Sequence, residues 1–179
     1  MEFYLNTSNK GKLAEFQQLF SLHGISLRST CLDLPEIAAD PIKVLVHKAS
    51  CLDDFSIVDD TSLEVEGTDI GINVRWLLNE LANYLEKPAI WTVLLGYKKD
   101  GQIYVYEGHV NGRIVSPRGD GGFGFDPYFC PDGHSSTLAE AKPPEVNARA
   151  LAVENFVKKK IYQIHQPIIN WHGSWQEKK

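Results

Sequence analysis

The opening thirty residues constrain the fold most tightly. Phe3-Tyr4-Leu5 is a short apolar run suited to a buried strand, and the polar loop Asn6-Thr7-Ser8-Asn9-Lys10-Gly11-Lys12 follows it. Leu13, Phe16, Leu19 and Phe20 then recur near the helical period. Gly24 reads as a helix stop and residues 25–29 as a second strand. The spacing therefore predicts a strand over 3–6 and a helix over 11–23. Strand, helix and strand in close succession require a sheet with a helix packed on its face.

The alternation continues along the chain. A helix over 41–53 starts behind Asp40 as cap and Pro41 at the first helical position. Strands over 56–59 and 63–66 bracket an acidic turn, and 74–86 has helical spacing with Trp76, Leu77, Leu81 and Leu85 on one side. Two β-rich runs, 89–98 and 103–115, flank Asp100-Gly101, a strong hairpin signal, with a bend expected at Gly108 or Gly112. A loop over 116–136 and a last helix over 144–162 complete the pattern. The expected class is α/β: a mixed β-sheet flanked by helices. Trp76 and Trp91 read as core, and Lys158-Lys159-Lys160 as a solvated helix end.

With 179 residues, 43% hydrophobic and 23% charged, the chain suits one compact domain over 1–162, with 163–179 as a C-terminal extension. The two tryptophans of that extension, Trp171 and Trp175, speak against pure disorder. It could pack on the core, cover a cleft or build a dimer contact. A net charge of −5 argues against nucleic acid as a main partner, while a local basic site remains compatible. Cys31, Cys51 and Cys130 lie far apart without a C-x-x-C spacing, and the six histidines show no ligand spacing. The chain opens into strand-like residues without a leader and holds no run of about 20 apolar residues, so a cytoplasmic location away from membranes is expected.

Three segments carry chemistry. Gly121-Gly122-Phe123-Gly124-Phe125-Asp126-Pro127 combines a sharply turning backbone, two flat apolar faces and a carboxylate, which suits a heteroaromatic ring. Its plainer reading is a glycine-rich turn beside a core aromatic. The loop at 6–12 places backbone N–H groups and two lysines at a helix start, a ready anion site without the spacing of a Walker loop. Its plainer reading is an N-capped turn with surface lysines. Asp59-Asp60-Thr61-Ser62 follows the β-prone Ser56-Ile57-Val58. Adjacent carboxylates on a strand point apart, so one can face a metal while the other supports it or activates water. A simple turn is the alternative.

Taken in order, the three segments resemble the inosine triphosphate pyrophosphatase family, hydrolases of non-standard purine nucleoside triphosphates. Thr7-Ser8-Asn9-Lys10-Gly11-Lys12 stands for the family's T-G-N-x-x-K, Asp59-Asp60-Thr61-Ser62-Leu63 for [ED]-D-[ST]-G-L, and Gly121 to Pro127 for G-G-F-G-[YF]-D-P. The match runs from about residue 3 to residue 157. The resemblance implies an elongated mixed sheet in two lobes with a central cleft. It implies Thr7, Asn9, Lys12 and Lys48 on the triphosphate, with Ser8, Lys10 and Thr61 in the same substrate set. It implies Glu36, Asp59 and Asp60 as Mg²⁺ ligands, and Asp60 as the residue that activates water, aided by Lys12 and Lys48. Phe123, Gly124, Phe125 and Asp126 would line the base pocket, with Arg149 at the base edge. Water would attack the α-phosphorus, releasing a monophosphate and pyrophosphate, and a homodimer is expected. Removing Lys12 or Asp60 should lower turnover far more than stability.

The chain also departs from the family pattern. Asn147-Ala148-Arg149 replaces Ser-His-Arg, and the segment before it, Lys142 to Val146, is shortened, leaving Lys142 to substitute for a lysine without a clear counterpart. Ser62 replaces a glycine, Lys43-Val44 a Glu-Asn step, and Gly71-Ile72-Asn73-Val74-Arg75 a longer P-G-x-x-S-A-R loop. The phosphate and metal half is intact and the base-reading half is altered, which points to a changed or broadened base preference. Two rivals stand beside this reading: a Maf-type pyrophosphatase acting on pyrimidine or modified nucleotides, disfavoured by the loop at 121–127, and a catalytically silent nucleotide binder.

Overall fold

The computed structural model describes residues 2–176. Seven strands form one sheet: β1 (Glu2–Asn6), β2 (Ser26–Thr30), β3 (Ser56–Val65), β4 (Pro88–Lys99), β5 (Gln102–Ile114), β6 (Phe129–Pro131) and β7 (Gln163–His165). Their order is β2-β1-β3-β4-β5-β6, with β7 also on β5. β1 runs parallel to β2 and β3, and β5 antiparallel to β6 and β7, so the sheet is mixed. Three helices flank it: α1 (Lys10–Ser21), α2 (Pro41–Ser50) and α3 (Ala148–Val157).

Local chemistry sets several of these boundaries. The Asn9 side chain accepts from the Lys12 N–H and starts α1; the Asp40 side chain accepts from the Lys43 N–H and starts α2, with Pro41 just inside. Asp100 and Gly101 both take positive φ, 51° and 72°, as a two-residue hairpin turn requires. Past α3, Lys159 takes φ 55°, while the N–H of Lys159 donates to Phe156 O and that of Lys160 to Asn155 O. The three lysines thus form a left-handed helix termination, which turns the chain toward β7.

The described chain gathers into two compact units, one of residues 2–60, 93–108 and 149–176, the other of 61–92 and 109–148. In the first, Leu45, Val46, Ala49 and Leu52 pack on Val58, Leu94, Ile103 and Val105. A Cβ at Gly96 would come within 3.0 Å of Leu45, so α2 approaches β4 closely only over this glycine. Phe156 meets Phe3, Phe20, Tyr97 and Tyr106 edge-on at 5.1–5.5 Å between ring centres. Full burial of a ring such as Phe20 contributes roughly 1.5–3 kcal/mol. In the second unit, the fully buried Trp91 meets Phe125 and Phe129 edge-on at 5.9 and 6.4 Å.

Three expected elements and one expected core residue change. The acidic turn is absent as a turn: β3 runs unbroken through Asp59-Asp60 to Val65. The expected helix 74–86 is two short 3₁₀ segments, Val74–Trp76 and Leu78–Tyr84, neither with a side-chain cap. Only Val74 and Leu81 within them are buried, too little to sustain a continuous helix. Trp76 is half-buried beneath the Arg75 guanidinium, 4.2 Å from its ring centre, whereas Trp91 is core as expected. The last helix begins only at Ala148: Pro143 and Asn147 are extended and flank a 3₁₀ turn, Pro144–Val146, a break that the Pro-Pro step favours. The extension from 163 packs on the first unit, where β7 pairs with β5 and the Ile168 N–H donates to the Ser50 hydroxyl at 2.9 Å.

Candidate active site

The loop between β1 and α1 is fixed at both ends. Asn6 donates to Leu32 O at 3.0 Å and accepts from the Leu32 N–H at 2.8 Å, holding the crossover from β2. The Thr7 hydroxyl accepts from the Asn9 N–H at 3.1 Å, and Asn9 Oδ1 accepts from the Lys12 N–H at 3.0 Å. Ser8, Asn9 and Lys10 are exposed, so the first turn of α1 offers N–H groups and a cation to solvent.

β3 carries the two aspartates into this region, both buried. Lys12 Nζ lies 2.8 Å from Asp59 Oδ2. Lys48, from the last turn of α2, donates to Asp59 O at 2.8 Å and stands 3.5 Å from Glu36 Oε1 and 4.0 Å from Asp60 Oδ1. The neighbouring aspartates therefore meet different fields. Burial pushes both carboxyls up, but at Asp59 the Lys12 ammonium and then Lys48 outweigh it and hold the group below its ordinary value. At Asp60, burial, opposed by Lys48 and reinforced by Glu36, pushes the carboxyl up to about 7. Burial acts against the charge on Lys48, but Asp60, Asp59 and Glu36 together raise its affinity for the proton. The sequence predicts two carboxylates with separate duties, and the structure gives them opposite protonation tendencies.

Asp60 Oδ2 is buried with no hydrogen-bond partner among the described residues. A buried carboxylate oxygen without a partner, near Glu36 and Asp59, fits a hard cation that takes oxygen ligands. No group of three or more His, Cys, Asp or Glu side chains among the described residues is drawn together enough to enclose a metal by itself. Thr61 Oγ1 is likewise buried without a partner among the described residues.

Arg149 at the start of α3 is buried, and its Nη1 lies 3.2 Å from Glu15 Oε2 of α1. It also helps lower the Asp59 carboxyl, which puts its charge in the field of the acidic cluster. Glu15 lies one turn beyond Lys12 on α1, outside all three motif segments.

In the second unit the glycine-aromatic loop folds around Asp126. Its Oδ2 accepts from the Phe123 N–H at 3.0 Å and from Lys142 Nζ at 2.7 Å. A Cβ at Gly122, where φ is 68°, would collide with that carboxylate, so the turn requires glycine. Lys142 stands 5.2 Å from the Phe123 ring centre. Phe123 is half-buried, Gly124 is exposed with φ 60°, and Phe125 turns into the apolar interior against Trp91 and Phe129. Asn147 is buried. The lysine named as a substitute thus joins the loop through Asp126.

A model of the Ham1 family matches residues 3–159. The chain belongs to the Ham1 family. A dITP/XTP pyrophosphatase of Thermococcus kodakarensis is 31% identical over 158 residues, covering 79% of this chain and 85% of its own length. An inosine triphosphate pyrophosphatase of Schizosaccharomyces pombe is 30% identical over 159 residues, 79% of this chain and 84% of its own. A HAM1 protein from Coxiella burnetii has the same fold, with a TM-score of 0.72 at 23% identity over 89% of this chain and 98% of its own. The mixed sheet with flanking helices expected from the sequence is this family's fold. The extension beyond residue 159 lies outside the matched segment.

Proposed function

We propose that this chain hydrolyses nucleoside triphosphates of non-standard purines, such as ITP, dITP and XTP, to the monophosphate and pyrophosphate. The observation that carries the reading is the pair of adjacent aspartates: one ionised against Lys12, the other with its proton affinity raised toward neutrality. Titratable neighbours driven apart in this way mark an acid–base site. The names of Ham1 relatives, dITP/XTP pyrophosphatase and inosine triphosphate pyrophosphatase, support the substrate class.

Each residue then has a physical task. Thr7, Ser8, Asn9, Lys10 and the N–H groups opening α1 receive phosphate oxygens, with Thr61 as a further donor. Lys12 and Lys48 neutralise charge that develops as the α-phosphorus is attacked. Asp60 takes the proton of the attacking water, and its raised affinity suits a base working near neutral pH. Asp59 stays charged and holds Lys12 in place. Mg²⁺ held by Glu36 and Asp60, with Asp59 beside them, would supply further positive charge to the triphosphate. The aromatic loop takes the ring: Phe123 and Gly124 at the face, Asp126 and Lys142 at the edge, with Phe125 behind them. Arg149, held by Glu15, adds a fixed positive charge.

Asn147 and Ala148 in place of Ser-His lead us to expect a broadened preference among bases. Residues 1–162 are assigned the catalysis, and a cytoplasmic homodimer acting on the free nucleotide pool is the expected form, away from nucleic acid and membranes. No helix among the described residues is long and apolar enough to cross a membrane. A pyrophosphate-release assay with Mg²⁺ over ITP, dITP, XTP, GTP, dUTP and TTP tests the proposal. Release from inosine and xanthosine nucleotides is expected; tight binding without release from any of the six would mean a silent binder, and release from pyrimidines alone a Maf-type activity.

A further inference from the structure

Glu36 sits in a stretch, residues 31–40, that belongs to neither a helix nor a named strand. Its backbone is held by the far end of the chain. Gln176 N–H donates to Glu36 O at 2.8 Å, the Gln176 side chain donates to Ile37 O at 3.1 Å, and Ala38 N–H donates to Ser174 O at 3.0 Å. Ile37 and Trp175 face each other as an antiparallel bridge, and Ile37 is fully buried. The Trp175 ring also meets His47 edge-on at 5.5 Å, one residue before Lys48. The tail that does this is itself anchored: β7 pairs with β5, Ile168 packs on the α2 core, and Trp171 Nε1 closes a turn onto Ser174 O at 2.9 Å. A Cβ at Gly173 would meet the Trp171 ring at 2.5 Å, so that turn has no room for a side chain at 173.

We infer that the C-terminal strap, Ser174 to Gln176, positions Glu36 and Lys48 for cation and triphosphate, with Trp175 and Gln176 as positioning residues. The inference rests on the reading of Glu36 as a cation ligand. The carboxylate of Glu36 lies 3.5 Å from Lys48 Nζ, and the strap touches the backbone of one partner and the helical neighbour of the other. A loop without regular structure of its own gains a fixed geometry from outside, which reduces the ordering that ligand binding would otherwise require. The strap residues lie outside the segment matched by the family, residues 3–159.

The test compares the full chain with Trp175→Ala, Trp175→Phe and Gly173→Ala. Hydrogen exchange at Ala38 reports the strap directly, and Mn²⁺ titration followed by electron paramagnetic resonance reports cation affinity without turnover. Trp175→Ala and Gly173→Ala should speed Ala38 exchange tenfold or more, weaken Mn²⁺ binding about fivefold to tenfold, and raise the half-saturating Mg²⁺ concentration for hydrolysis by a similar factor. The melting temperature should change little. Trp175→Phe keeps a ring edge for His47 and should stay within twofold of the parent. Faster Ala38 exchange with unchanged Mn²⁺ affinity would overturn the inference and leave the strap a purely structural clasp. A parent chain that hydrolyses no triphosphate would refute the proposed activity while leaving the Mn²⁺ and exchange comparison to decide the strap.

Discussion

The charge cluster and the aromatic loop are built in opposite ways. Lys12 and Asp59 are 47 residues apart in sequence and meet only because α1 and the first half of β3, up to Asp60, fold into one unit. Asp126 finds its partners three and sixteen residues away, through a turn that its own glycines allow. The first arrangement depends on topology and buries charge; the second depends on local backbone geometry. Damage to the cluster should therefore alter turnover and stability together, whereas damage to the loop should alter which base is accepted.

Asp60→Asn should separate the two effects most sharply. Loss of a general base lowers turnover by roughly 10²–10⁴-fold. Stability should move the other way. The raised affinity of Asp60 means that the folded state holds its proton more tightly than the unfolded chain does. Its favourable contribution is complete below the ordinary carboxylate range and is lost as pH rises through about 7. In metal-free protein at pH 8 the asparagine variant should thus gain about 1 kcal/mol or more, roughly 2–4 °C in melting temperature for a chain of this size. Asp59 behaves in the opposite sense, its contribution being present above the ordinary range and lost as pH falls. Urea melts of both proteins at pH 5 and pH 8 check the sign: the gain should appear at pH 8 and shrink at pH 5.

Lys12→Met comes next. The sequence alone suggests a small effect on stability, but Lys12 is the direct partner of Asp59, whose side chain is only 4% exposed. Removing Lys12 takes away the nearest compensating charge, leaves Asp59 to Lys48 and Arg149, and costs up to about 3–5 kcal/mol. Denaturant unfolding should show that loss together with a collapse of turnover, which a purely surface lysine would not produce.

Lys142→Met attacks the loop instead. It should change the ratio of kcat/KM between ITP and GTP by about tenfold, in keeping with roughly 1–3 kcal/mol for an unpaired polar edge, and leave the pH profile in place. The smallest effect belongs to Gly122→Ala, where a Cβ must displace the Asp126 carboxylate at positive φ. A loss of about 1–2 kcal/mol is expected, with the same ITP/GTP ratio moved less than in the lysine variant.

What the sequence made legible follows the same division. Asp40-Pro41 and Asp100-Gly101 announce their cap and hairpin because a few adjacent residues decide them, whereas α1 starts at Lys10, capped by Asn9, one residue before the expected start. The three motif segments were legible as the family's signature, and Lys142 stands against Asp126 of the third. Opposite protonation of Asp59 and Asp60 was not, because it depends on which lysine arrives from α1 or α2 and how closely. The helix expected over 74–86 fails for a related reason: its apolar spacing is right, but too few of its residues meet a core. β7 has only three residues and becomes a strand by pairing with β5. The strap on Glu36 joins positions about 140 residues apart, and no local pattern announces it.

Everything in the proposed reaction turns on water attacking the α-phosphorus, which isotope labelling reads out. The chain should be incubated with ITP and Mg²⁺ in ¹⁸O-enriched water and the products resolved by mass spectrometry. Inosine monophosphate carrying one heavy oxygen is expected, with unlabelled pyrophosphate in equal amount. Label in pyrophosphate, or diphosphate and orthophosphate as products, would contradict it.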